Sequence, residues 1–320
     1  MTTARTLPAA LVVALAFAAG CGSDDSGGGS RETAAEGADP ATDKLAQIKA
    51  RGTLVGYHES DYPPQSMDVK GAARPADTKC ADSQLTANQV TGFDNETTKL
   101  VAKRLGVEAC FETPTWTEVT SGNWGDRWDI AYGSGSINVD RMQRLYMTQP
   151  YYAVPNRYFV ALDSPYRKPS DLNGKKIGSC ADCSHEFYLK GELVIPTVDV
   201  VLNVRNPQIV TFETERPGLV AAANGKIDAF LAADPVGRAQ IEDGVKLRAL
   251  EEIAFTYYPS GFVDKSSGLS ARAFVERVNA IVHGFHADGT LKRLSRKWFG
   301  QDYASAAAAF DAAALDQVIE

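Results

Sequence analysis

An α/β fold, with helices laid on the faces of largely parallel sheets, is what this 320-residue sequence predicts. Beyond Arg51, short strand-like runs alternate with helical stretches, an order that builds parallel sheets covered on both faces. The chain past Ala50 is long enough for two domains of ordinary size. Its 44% hydrophobic and 23% charged residues are those of a globular protein.

The N-terminal residues read as targeting rather than fold. Arg5 supplies a positive charge, and Leu7 to Ala19 is apolar apart from Pro8. That run is shorter than the roughly 20 residues that cross a bilayer, but it matches the core of a signal peptide. It ends in Ala18-Ala19-Gly20-Cys21, which resembles a bacterial lipobox, with Ala18 where Leu is usual. Residues 1–20 are thus expected to be a signal peptide. Residues 21–49 are expected to be a lipidated N-terminus and flexible tether, anchoring an exported protein to the membrane through Cys21. Gly22 to Thr42, rich in Gly, Ser, Ala, Asp and Glu, lacks the apolar content for a core. A net charge of −7 argues against a nucleic-acid partner.

Export sets the cysteine chemistry. With Cys21 lipidated, Cys80, Cys110, Cys180 and Cys183 remain, an even set that suggests two disulfides. Three pairings are possible, and Cys80–Cys110 with Cys180–Cys183 keeps each bridge local. A redox role for Cys180-Ala-Asp-Cys183 would want the motif after the first strand of a thioredoxin-like unit. It lies deep inside another pattern, which favours a structural bridge.

The elements follow in order. Thr53 to Tyr57 reads as a strand, and Asn95 to Leu105 as a helix capped by Asp94 and stopped by Gly106. Val107 to Phe111 and Trp128 to Ala131 read as strands, with a polar insert between Met67 and Thr91 that carries Cys80. After Pro155 the strand pattern restarts at Tyr158 to Leu162, Lys176 to Gly178 and Ile209 to Phe212. A helix from Pro217 to Asn224 closed by Gly225 precedes a strand at Ile227 to Leu231. Ser270 to Ala287 is the clearest helix, with Phe274, Val278, Ile281, Val282 and Phe285 at helical spacing. Leu291, Leu294 and Trp298 mark a last helix stopped by Gly300.

From Arg51 to Gly300 the sequence resembles the periplasmic amino-acid-binding proteins of ABC importers, solute-binding family 3. The resemblance is carried by segments in the family's order. They include Gly52-Thr-Leu-Val-Gly56, Tyr62-Pro-Pro64, Gly92-Phe-Asp94, Trp116, Ser134-Gly-Ser-Ile137 with Arg141, and Gln149-Pro-Tyr-Tyr152. Asp171-Leu-Asn-Gly-Lys175, Gly225-Lys-Ile-Asp-Ala229, Asp288-Gly-Thr-Leu291 and Lys297-Trp-Phe-Gly300 complete the series. The resemblance implies a periplasmic-binding-protein-like fold of two α/β lobes joined by two hinge strands. Lobe 1 would be discontinuous, residues 50–153 and 256–320, and lobe 2 would be residues 154–255. It further implies a small polar solute, an amino acid or related carboxylate, enclosed by hinge closure and delivered to a membrane permease.

The same resemblance assigns a ligand site. Arg141, rather than its rival Arg144, would clamp a carboxylate bidentately. Ser134 and Ser136 would add hydrogen bonds, Trp116 would wall the ligand's side chain, and Ser184 would offer a helix start. Asp94 is either a ligand contact or only the helix cap, and Tyr62 would stand at the cleft mouth. The family's amino-binding aspartate falls by counting on Ala233, so Asp234, one place later, is the candidate for a cationic group. Glu186 reads as structural. No catalytic residue, cofactor or metal is expected; His283 and His286 sit one turn apart without a third ligand. Two other functions remain open, a dehydratase-like enzyme using Glu186, Asp94 or His185 as acid, and a sensor domain presenting its ligand.

Overall fold

The strand Thr53–Tyr57 is buried at every position, so its continuous apolar reading reflects cover on both faces, as in a parallel sheet. A computed structural model describes residues 37–196, 198–310, 312, 315 and 317. The signal-peptide reading and Cys21 lie outside the described residues, and the tether expected over 21–49 is corrected at its end, because Lys44–Arg51 is a helix whose Leu45 and Ile48 are buried in the core.

Thr53–Tyr57 pairs in parallel with Glu108–Glu112, in register from Thr53 opposite Glu108, and Leu85–Thr86 adds antiparallel to the latter. The helix Phe93–Leu105 packs on both long strands. The helices Arg272–Ala287 and Thr290–Phe299 pack on each other and on that helix, so the C-terminal helices complete the first lobe. Trp128 to Ala131, expected as a strand, makes only single bridges among the described residues, Gly56 to Ile130 and Ala131 to Phe262. Its backbone is divided between two neighbours and forms no ladder with either.

The second lobe is one sheet in the order Gln208–Phe212, Lys176–Cys180, Ala229–Ala233, Val154–Ala161, Leu247–Ala249. The first three strands run parallel, and Val154–Ala161 is antiparallel to its neighbours. Val154–Ala161 starts before Pro155 rather than after it. Proline is tolerated near the first residue of a strand, where its missing N–H matters least. Phe255–Tyr257 pairs antiparallel with the same strand, Tyr257 opposite Val154. Chain entry to this lobe and exit from it are therefore two hydrogen-bonded neighbours.

Both disulfides form in the local pairing. Cys80–Cys110 closes a separation of 30 residues and ties the 67–91 insert to the strand Glu108–Glu112. Cys180–Cys183 spans three residues, from the end of the strand Lys176–Cys180 to the residue before the helix Ser184–Lys190.

Chain-entropy reasoning makes the two bridges unequal, about 3–4 kcal/mol for the long loop and about 2 kcal/mol for the short one. Replacing Cys80 and Cys110 together by serine should lower the urea midpoint clearly more than replacing Cys180 and Cys183. Equal losses, or no loss at the long bridge, would contradict the loop-length account.

Candidate functional site

The site grows from the turn Ser134-Gly135-Ser136. Ser134 has φ 55°, and a Cβ on Gly135 would lie 2.3 Å from the Phe262 ring and 2.7 Å from the Trp116 ring. Glycine is required there so that the turn can lie flat on an aromatic wall. Ser134 is fixed from beneath. Its Oγ donates to Asp94 Oδ2 at 2.7 Å, its N–H donates to Tyr151 Oη at 3.0 Å, and Tyr151 Oη donates to Asp94 Oδ1 at 2.7 Å.

Asp94 is therefore not the helix cap. The helix begins at Phe93 after Gly92 with no side-chain cap, and Asp94 is fully buried in its first turn. Burial, then Glu59, push its carboxyl up to about 7 against its hydrogen bonds with Tyr151 and Ser134. It holds the serine turn and does not line the cavity.

Arg141 is 1% exposed. Its backbone is held by Asn138 Oδ1 at 2.9 Å, and its guanidinium lies 5.2 Å from the Trp116 ring and 5.7 Å from that of Phe262. Nη1 donates to Ser136 O at 3.1 Å and Ser184 Oγ at 3.3 Å, and Nη2 donates to Asp182 O at 2.7 Å. Nε has no partner among the described residues, nor does any hydrogen bond there give the guanidinium a carboxylate. Burial lowers its pKa to about 10, still cationic at neutral pH. Arg144, the rival, is spent on Asp140 at 2.6 Å, both half exposed.

Arg141 and the serine turn come from the first lobe, Asp182 and Ser184 from the second. Ser136 Oγ and Ser184 Oγ are 2.5 Å apart, Thr117 Oγ1 donates to Asp182 Oδ2 at 3.0 Å, and Arg216 pairs with Asp61 at 3.0 Å. The cleft is closed around a cavity that is part open to solvent. Arg141, Ser134, Ser136, Trp116, Tyr62 and Ser184 all line it.

Asp234 does not. It is buried at the start of the helix Asp234–Glu242 with Arg157 at 3.0 Å, Arg238 at 2.7 Å and Tyr303 Oη at 2.9 Å. Its charge is already matched by two cations, which corrects the expectation that it faces the ligand.

Acidic lining comes instead from residues the sequence reading passed over, Glu59, Glu213 and Glu215, with Tyr257 beside them. Glu215 is 5% exposed and opens the helix Glu215–Ala223. A glutamate there ordinarily signals a helix dipole, so nothing in the sequence marked it. Burial, then Glu59, push its carboxyl up to about 8. His185 also lines the cavity; burial and Arg141 push it down to about 3, so its ring is neutral. Glu186 is structural as expected, accepting from Asp182 N at 2.8 Å and pairing with Lys190 at 2.7 Å. His286 Nε2 donates to Pro150 O at 2.8 Å, away from any site.

The profile of the bacterial extracellular solute-binding proteins, family 3, matches residues 76–301. The L-cystine-binding protein TcyJ of Escherichia coli (strain K12) is 27% identical over 264 residues, covering 81% of this chain and 86% of that one. The L-cystine-binding protein TcyA of Bacillus subtilis (strain 168) is 23% identical, covering 91% and 96%. Among solved structures, the ancestral amino acid-binding protein AncCDT-1, a precursor of cyclohexadienyl dehydratase, shares the fold with a TM-score of 0.64 at 23% identity. That match covers 80% of this chain and 99% of the other.

Asp94 gives this site a pH signature. Its folded value near 7 lies above the ordinary 3.8, so between those limits the native state keeps a proton that the unfolded chain releases. Its contribution to stability is full below about pH 4, declines as pH rises to about 7, and is level beyond. Asp94→Asn should remove that share of the decline in thermal midpoint. Superimposable pH profiles for the two proteins would refute the buried-carboxyl account.

Proposed function

The chain belongs to the bacterial extracellular solute-binding proteins, family 3, and from that premise we propose that its cleft captures a small α-amino acid for an ABC importer. The observation that carries the substrate class is Arg141, a buried cation facing the cavity with no carboxylate hydrogen-bonded to it among the described residues. A buried charge lacking a counter-ion is costly, and a ligand carboxylate supplies that ion. The carboxylate would take the guanidinium and the hydroxyls of Ser136 and Ser184. The ammonium group would turn to Glu215 and Glu59, whose carboxyls burial holds in the neutral direction and a cation would ionise. Trp116, Tyr62 and Tyr257 would wall the side chain.

Relatives that bind L-cystine make that zwitterion the first solute to try. Three carboxyls against one guanidinium on the lining make a cationic amino acid the second. A micromolar ligand needs about 8 kcal/mol, within reach of a desolvated charge clamp with ring contacts.

Delivery follows from closure. The helix Lys44–Arg51 packs on Arg272–Ala287 and on Thr53–Tyr57, so we take residues 43–153 and 256–320 as lobe 1 and residues 154–255 as lobe 2, with the paired strands Val154–Ala161 and Phe255–Tyr257 as the crossing. Ligand contacts on both lobes favour the closed form by their differential affinity. No helix among the described residues is long and apolar enough to cross a membrane. The lipobox-like Ala18-Ala19-Gly20-Cys21 supports anchoring outside the cytoplasm by a lipid on Cys21. Membership of a binding-protein family, with binding proteins among its curated relatives, supports a carrier over the dehydratase alternative.

Titration calorimetry against L-cystine, L-arginine, L-histidine and an amine-free dicarboxylate tests the reading. At least one amino acid should bind, and Arg141→Ala should weaken it by about 2–5 kcal/mol, roughly 30-fold to several thousandfold. Arg141→Lys should recover only part of that, because a point charge lacks the guanidinium fork. The proposal fails if folded wild-type protein binds no amino acid, or if Arg141→Ala binds as tightly as wild type.

A further inference from the structure

One wall of the cavity is chemically unlike the rest. Cys180, Cys183, His185 and Glu215 all line it, and the sulfur atoms of the two cysteines and a ring nitrogen of His185 lie within 4.8 Å of one another. Cys180 Sγ is 3.7 Å from His185 Nδ1 and 3.9 Å from Glu215 Oε1, and His185 Nδ1 is 3.6 Å from Glu215 Oε1. A tetrahedral zinc site has metal–ligand bonds of about 2.0–2.3 Å, so its edges measure about 3.3–3.8 Å. Two of these distances fall within that range and the third, 3.9 Å, lies just beyond it.

The donors are prepared in other ways. His185 Nε2 donates to Asn156 Oδ1 at 2.7 Å, which fixes the ring and leaves Nδ1 with its lone pair toward the sulfurs, as an outer partner does for a metal-bound histidine. Glu215 Oε2 has no hydrogen-bond partner among the described residues. Cys-x-x-Cys is a spacing used by zinc sites, here followed after one residue by the histidine.

We propose that, once the Cys180–Cys183 bridge is reduced, this wall binds one Zn²⁺ through Cys180, Cys183, His185 and Glu215. The reductant is a small-molecule thiol or a phosphine. It delivers two electrons, the S–S bond breaks and two thiols form; two reductant thiols supply the protons and leave as their disulfide, or water supplies both protons and the oxygen of the phosphine oxide. Zinc then displaces both thiol protons and the proton of the Glu215 carboxyl, and is held by two thiolates, one neutral imidazole and one carboxylate. Arg141, which reaches the intervening Asp182 carbonyl, offsets the excess negative charge. The oxidised chain keeps the wall as a ligand surface; the reduced chain makes it a metal site. This rests on the geometry of the wall and not on which solute the cleft takes.

Cobalt titration of the purified chain is the test, with Co²⁺ as the spectroscopic stand-in and no amino acid present. After phosphine treatment the protein should bind one equivalent with the intense visible bands of tetrahedral cobalt and a sulfur charge-transfer band, both abolished by added Zn²⁺. Oxidised protein should show neither. Phosphine also opens Cys80–Cys110, so reduced Cys180→Ser/Cys183→Ser protein, which keeps those two thiols, should stay silent. Glu215→Gln retains all four thiols and should lose at least about tenfold in affinity, the low end of what even an outer-shell loss costs; it serves if the serine variant does not fold. Absence of the bands in reduced protein that retains its native circular dichroism would overturn the proposal. So would equal bands in the double serine variant, or affinity untouched by Glu215→Gln.

Discussion

A buried guanidinium that no carboxylate hydrogen-bonds among the described residues is the interaction on which the rest of this structure turns. Arg141 is taken out of water and given neutral acceptors, the carbonyls of Ser136 and Asp182 and the hydroxyl of Ser184, together with the faces of Trp116 and Phe262. The carboxylates of Asp140 and Asp182 favour its charged form from a distance, but neither hydrogen-bonds it, and carbonyl dipoles do not replace a full negative charge in a medium of low dielectric. Because the acceptors come from both lobes, the same side chain senses whether the cleft is shut. Electrostatics and closure are thus one problem here, and an anion entering the cavity acts on both.

The acidic groups are arranged around that fact. Asp234, which family spacing nearly selects, is neutralised by Arg157 and Arg238 and committed to the helix it begins. Glu215 is buried and no arginine or lysine pairs with it among the described residues; its nearest basic group is a neutral histidine at 3.6 Å. An unpaired buried acid and an unpaired buried base on one cavity lining form two halves of a charge pattern that a zwitterion would complete. Asp94, a third buried acid, has a different task. It faces away from the cavity and fixes the serine turn, so its proton is a matter of stability rather than of recognition.

The fold was largely legible because its signals are periodic and redundant. The face of Phe274, Val278, Ile281, Val282 and Phe285 is buried as its spacing demands, and the glycine stops at Gly106 and Gly300 adopt the left-handed conformation that ends a helix. Local disulfide pairing was legible from separation alone. What failed did so where one residue type serves two ends. An aspartate at a helix start reads as a cap, and only burial shows that Asp94 turns inward. A glutamate in a first turn reads as a dipole partner, and only the packing of Glu215–Ala223 against the neighbouring strands shows that Glu215 faces the cavity. Trp128 to Ala131 has strand composition, but whether a strand forms depends on neighbours that its own sequence does not contain.

The Cys180–Cys183 bridge makes better sense as a positioning device than as a global staple. Closing three residues restrains the unfolded chain little compared with closing thirty. The loop it stiffens, however, contains Asp182, whose φ of 57° is left-handed, and ends at Ser184; both meet Arg141 across the cleft. Left-handed backbone is uncommon for a residue with a side chain and persists where the surroundings over-determine it. Glu186 supplies one such restraint by accepting from Asp182 N, and the bridge supplies a second by joining the residues on either side. An acceptor held in place before the ligand arrives spares the ordering that binding would otherwise require. The bridge therefore acts through the geometry presented to Arg141, and its chemical state and the grip of the cleft are linked through a loop of three residues.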